Sequence, residues 1–130
     1  MERLYPQAVD VRELSPLTLA LVGDGVYELM VRERLCCLAN RAAGELHRLS
    51  VRVVRAEAQA AAAERIEPLL TETEAAVYRR GRNAHTPRTG RDYHMATGLE
   101  TLFGYLYLNG RRERLNELFE AIMEGDDHAS

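Results

Sequence analysis

Residues 92–111, DYHMATGLETLFGYLYLNGR, decide the fold: between Asp92 and Arg111 the only charged residue is Glu100. A helix that is apolar around most of its circumference belongs at the centre of a helical core. The spacing predicts a helix from about Asp92 to Asn109, stopped by Gly110. A second run has the same character. Between Glu13 and Arg32 the only charges are Asp24 and Glu28, and Ser15 followed by Pro16 is an N-cap and first-turn signal for a helix over PLTLALVGDGVYELMVRERLCCLA (16–39). Both helices are therefore expected at the centre of the molecule.

Outward from these two, the remaining segments also read as helical. One stretch covers roughly Ala43 to Glu64, with the β-branched VRVV (51–54) inside it, and Pro68 interrupts it or opens a short helix. Thr71 with Glu74 three residues on is a capping box, opening a helix that should end near Gly81. RNAHTPRTGRD (82–92) has loop chemistry. An amphipathic helix is expected from about Arg112 to Glu124, and the tail GDDHAS (125–130) is expected to be loose. No stretch alternates like a half-buried strand for long enough to matter. The reading is an all-α fold, one domain over residues 1–130 with its core at about 14–123.

The chain has 130 residues, 46% of them hydrophobic and 28% charged. These values suit a soluble globular chain and exclude a disordered or collagen-like one. Charge-free stretches fall well short of the roughly 20 residues of a membrane span. MERLYPQAVD (1–10) carries charges where a signal peptide needs an apolar segment, so a cytoplasmic protein with no membrane partner is expected. Cys36 and Cys37, adjacent and alone, fit neither a metal site nor a disulfide framework and are read as two core thiols. His47, His85, His94 and His128 have no metal-ligand spacing. His47 is read as a packing or hydrogen-bonding residue, and Tyr93, Tyr105 and Tyr107 as core or dimer contacts.

Acids in apolar helices carry the chemical interest. At about 100° per residue, Asp24 and Glu28 share a stripe with Leu17, Ala20 and Leu21. A buried carboxylate is costly unless it is paired, hydrogen-bonded or metal-bound. Gly23 and Gly25 flank Asp24, and Gly98 and Gly104 lie near Glu100; such small residues let helices approach closely or let a ligand reach the backbone. Spacing alone leaves two readings open. Asp24 and Glu100 either pair with arginines or cap a neighbouring helix, or they face one another and hold a divalent cation such as Mg²⁺, which takes oxygen ligands and keeps several waters. Glu28 sits four residues before Arg32, the favourable order for a surface ion pair.

LVGDGV (21–26) resembles the signature helix of ribonuclease III catalytic domains, and TGLETLFGYLYL (97–108) resembles their second acidic helix. With GDGVYE (23–28), Leu46-His47, RAEAQA (55–60) and RRGRNA (79–84) in order, the chain more closely resembles Mini-ribonuclease III, the short bacterial branch without a double-stranded RNA-binding domain, over about residues 14–123. The resemblance implies a ribonuclease III-like helical bundle, a homodimer, that cleaves double-stranded RNA with Mg²⁺, for which Mn²⁺ substitutes. Its substrate would be precursor of large-subunit (23S) ribosomal RNA, with a ribosomal protein as a further partner that presents it. Asp24 and Glu100 match the family's two metal-binding catalytic acids. Larger ribonuclease III enzymes carry additional acids where this chain has Leu17, Ala20 and Thr97, a thinner set that the short branch shares. Two departures are particular to this chain: the loop after RRGRNA is several residues shorter than the family's, and FEAL has become Leu99-Glu100-Thr101-Leu102.

All 17 basic residues are arginines, the better side chain for bidentate phosphate contacts. The net charge is −3, yet residues 79–91 hold five arginines and no acid. Arg48, Arg52 and Arg55 recur at spacings of four and three, with Arg41 seven before Arg48 and Glu45 as a pairing partner for Arg48. On their own they read as a solvated basic face. With the resemblance, Arg48, Arg52, Arg55, Arg79, Arg80, Arg82, Asn83, Arg88 and Arg91 become the candidate RNA contacts, and His85 and His94 flank that basic loop. A-form RNA offers a wide, shallow minor groove read by shape, which favours basic stripes over base-reading motifs. The rival reading is a non-catalytic helical protein that binds RNA or the ribosome, its acids structural. A helical nucleotide hydrolase is disfavoured, because no E-E-x-x-E cluster lies in an apolar setting.

Overall fold

A computed structural model describes residues 3–129, with side chains up to residue 125. Six α-helices follow one another, α1 (Pro16–Leu38), α2 (Ala43–Val54), α3 (Ala56–Ile66), α4 (Glu72–Arg82), α5 (Arg91–Leu108) and α6 (Arg112–Ala129), with 3₁₀ turns at Val11–Glu13 and Glu67–Leu69. Among the described residues there is no strand. Local chemistry sets the helix ends. The Ser15 side chain accepts the Thr18 amide ahead of Pro16, Thr71 and Glu74 form a reciprocal capping box, and α5 begins after Gly90 at φ 115°, a backbone conformation open to glycine at little cost.

Helix α5 is the central rod, packed against α1, α3, α4 and α6. Leu99, Leu102 and Phe103 are fully buried on it, each worth about 1.5–3 kcal/mol. Tyr27 of α1 meets Phe103 edge-on at 5.3 Å and Phe119 of α6 at 5.9 Å. The α1–α5 crossing depends on missing side chains. A Cβ at Gly23 would run into the Glu100 carbonyl, and one at Gly104 into the Leu19 carbonyl. These glycines let the two acid-bearing helices touch backbone to backbone. At the far end, buried Glu74 receives a two-point hydrogen bond from Arg114, which also donates to the Leu69 carbonyl.

Several expectations need correction. The stretch from Ala43 to Glu64 is two helices, broken at Arg55, whose ψ of 157° is extended. Periodicity missed this bend because no proline or glycine marks it. Only one face of α1 is buried, since just one face meets α5; Leu17, Leu21, Leu29 and Leu38 are exposed. Cys36 and Cys37 are exposed rather than core thiols, because they sit on the last turn of α1, beyond the crossing. His47 is exposed as well. Glu45 pairs with Arg41, not Arg48. The backbone of the expected loose tail is helical through Ala129.

Candidate active-site cleft

Asp24 on α1 and Glu100 on α5 meet on one wall of a cleft of about 450 Å³. The glycine contact between the two helices brings the acids together. Gly23 rests on the backbone of Glu100 itself, so the residue next in sequence, Asp24, emerges beside the Glu100 side chain. Asp24 is exposed and Glu100 half-buried. The two side chains lie within hydrogen-bonding reach of each other, and the Gln59 amide faces Glu100. Burial pushes the Glu100 carboxyl up to about 8; Asp24 adds to the rise by accepting a hydrogen bond from the protonated form and by its charge, and Gln59 opposes it. Among the described residues neither acid is paired with an arginine. The expected surface pair between Glu28 and Arg32 is present at 2.7 Å, which leaves Glu28 out of the cleft.

The rest of the cleft comes from three other elements. Val54 ends α2, Ala56 and Gln59 open α3, and Thr86 and Arg88 come from the loop before α5. Arg88 lies over the Tyr93 ring, 5.4 Å from its centroid, a geometry that holds a guanidinium in place. Gln59 was not singled out from sequence as a site residue, although it lies within RAEAQA. The signal available there was one long polar side chain in an alanine-rich helix.

The arginines divide by their surroundings. Arg88 is the candidate RNA contact that lines the cleft. Arg48 and Arg52 are exposed on α2, and exposed Arg55, at the bend, pairs with Glu57 at 3.2 Å. Arg79 and Arg80 are exposed on α4. Arg82 is partly committed, 3.9 Å from Glu67 and stacked over Tyr78, with exposed Asn83 beside it at the end of α4. Arg91 is held by Glu64 and Asp92. Arg82, Asn83, Arg91 and His94 line a separate depression.

Chemically, two carboxylates in contact suit a divalent cation. Like charges this close are not both ionised at little cost unless a cation lies between them. Their oxygens match the preference of Mg²⁺, which is bound through one or two carboxylates and keeps several waters. Among the described residues no group of three or more His, Cys, Asp or Glu gathers at one point, so the remaining coordination would fall to water or a ligand's own oxygens.

Comparison with known proteins places the chain among nucleases. Residues 17–111 match the Ribonuclease III domain model. The chain is 48% identical over 116 residues to the Mini-ribonuclease 3 of Symbiobacterium thermophilum, covering 85% of this chain and 89% of that protein. It is 49% identical over 110 residues to the Mini-ribonuclease 3 of Synechococcus sp., covering 82% and 78%. The crystal structure of protein FN1578 from Fusobacterium nucleatum superposes with a TM-score of 0.81 at 27% identity, covering 92% of this chain and 99% of that one.

Proposed function

Because the chain belongs to the ribonuclease III family, in its Mini-ribonuclease 3 group, we propose that it is an endoribonuclease that hydrolyses double-stranded RNA at the Asp24–Glu100 cleft, with Mg²⁺ as cofactor and Mn²⁺ as a substitute. One observation carries this reading: the two acids are in contact, unneutralised by arginine, on the wall of an open cleft that also holds Arg88.

Asp24 and Glu100 would hold the cation. Bound there, it supplies an activated water and charge stabilisation for the phosphodiester in flight. Arg88, held by Tyr93, meets a phosphate at the cleft. Exposed Arg48, Arg52, Arg55, Arg79 and Arg80 track phosphates farther along the duplex, with Arg82, Asn83 and Arg91 at its margin. The exposed apolar face of α1 supports a homodimer. Leu17 and Leu21 line the cleft and are 41% and 75% exposed, so a second copy covering them would place two sites on one duplex. Two-fold symmetry then matches the duplex and gives each strand one cut. We place the substrate among precursors of 23S ribosomal RNA, with a ribosomal protein presenting it. Among the described residues no helix is long and apolar enough to cross a membrane, in keeping with work in the cytoplasm.

Incubating a labelled duplex with the protein, with and without EDTA, tests the reaction. Cleavage that needs the divalent ion and is abolished by Asp24→Asn or Glu100→Gln, while duplex binding persists, supports it. Full cleavage by both variants overturns the site. Binding without cleavage under every metal condition identifies a non-catalytic RNA-binding protein instead.

A further inference from the structure

Gln59 lies beside the acid pair, and hydrogen-bonding leaves one of its atoms unused. Only 3% of the residue is exposed. Its Nε2 donates to the Val54 carbonyl at 2.7 Å, satisfying one of the free carbonyls at the end of α2. The same amide faces Glu100 and favours its charged form. Oε1 remains, buried, with no partner among the described residues. Reversing the amide would only point its oxygen at the Val54 carbonyl, so the orphan is the acceptor. Leaving a buried acceptor unmet costs about 1–3 kcal/mol. The cap on Val54 accounts for Nε2 but leaves the buried acceptor without a role in the fold, so Oε1 calls for a partner that comes and goes. The partner must donate a hydrogen bond and must arrive where two carboxylates gather a cation. A water on a hydrated divalent ion does both.

Resting on the metal-dependent reading above, we infer that Gln59 is a positioning residue of the ion site: its amide braces the Glu100 carboxylate against the end of α2, and its Oε1 accepts a hydrogen bond from a water in the ion's hydration shell. An ion with two protein carboxylates keeps most of its waters. Each of those waters needs acceptors, and the groups behind a ligand tune affinity by roughly 10–100-fold. The chain lacks acids at positions 17, 20 and 97, occupied by Leu17, Ala20 and Thr97. A neutral acceptor that orders water is therefore a larger share of the site than in an acid-rich one.

The chain contains two glutamines, Gln7 and Gln59, so its side-chain amide NMR spectrum is simple. Titrating Mg²⁺ into the wild-type protein should move the Gln59 amide pair with the half-saturation found by calorimetry, and Gln7 should stay still. In Gln59→Met the calorimetric Mg²⁺ affinity of the folded protein should fall roughly 10–100-fold, with a cooperative melt retained in EDTA. A Gln59 amide that stays fixed while calorimetry records Mg²⁺ binding overturns the inference and leaves the nuclease reading standing. An affinity within two-fold of wild type in Gln59→Met does the same. If that variant does not fold, the wild-type spectrum decides alone. Absence of any Mg²⁺ binding removes the metal-dependent reading and the inference together.

Discussion

Glu100→Gln should make the metal-free protein more stable and the enzyme inactive. The Glu100 carboxyl is raised from 4.5 to about 8 by burial first and by Asp24 second. The folded state therefore holds its proton more tightly than the unfolded chain, and stability falls as pH climbs from about 4.5 through about 8. At about 1.4 kcal/mol per unit, the shift sets a ceiling of about 5 kcal/mol. Glu100 is only half-buried and water reaches the cleft, so about 2 kcal/mol is the working figure. Glutamine keeps the shape and has no charge to desolvate. At pH 8.5 in EDTA the variant should melt higher by about 6–8 °C, at roughly 3–4 °C per kcal/mol for this chain length. At pH 5 the gap should nearly close. With Mg²⁺ at about 100 times its dissociation constant, the wild type gains about 2.7 kcal/mol and the variant little, so the order reverses. Thermal melts at the two pH values, with EDTA or Mg²⁺ and at one fixed protein concentration, read all of this. A variant that melts no higher than wild type at pH 8.5 in EDTA refutes the reasoning, because the acid pair would then carry no strain for a cation to relieve.

Other perturbations separate the parts of the molecule. Arg88→Ala should lower the slope of log affinity against log salt for duplex RNA by about 1, whereas Arg91→Ala, whose guanidinium is already held by Glu64 and Asp92, should change it far less; filter binding across a salt series distinguishes them. Gly23→Ala drives a methyl group into the Glu100 backbone. It should cost at least about 3 kcal/mol and lose cleavage with the fold, seen together in a denaturant melt and a cleavage assay. Glu74→Ala leaves Arg114 with the Leu69 carbonyl and the exposed Glu117 but removes its two-point partner and the capping box, and should cost about 1–3 kcal/mol by urea unfolding with the Mg²⁺ affinity of the folded fraction unchanged. Leu21→Arg, on the exposed face of α1, should abolish the proposed homodimer: analytical ultracentrifugation of both proteins at one concentration should find a dimer for the wild type and a monomer for the variant.

Residue order by itself carried much of this protein: an all-helical fold, three of its six described helices (α1, α4 and α5) to within about two positions and the start of α6, the capping box at Thr71 and Glu74, and two acids conspicuous in apolar surroundings. Those features are local, set by side-chain periodicity, by caps and by the cost of a charge in a greasy segment, so they are written along the chain. Tertiary structure decided what depends on the approach of distant segments. The bend at Arg55 has no proline or glycine to announce it, and the Gln59 amide that ties its two sides together is buried only because α3 packs on α5. Glu45 chose Arg41 over Arg48 by rotamer geometry that spacing does not resolve. Arg88 differs from Arg82 and Arg91 only by where folding placed Glu67, Glu64 and Tyr93. The apolar character of α1 was legible, but which half of it is covered was not, because burial belongs to a pair of surfaces and the sequence shows one of them. Contact between Asp24 and Glu100 follows from two glycines that remove the only obstacle to backbone contact, and their effect exists only once α1 and α5 have crossed.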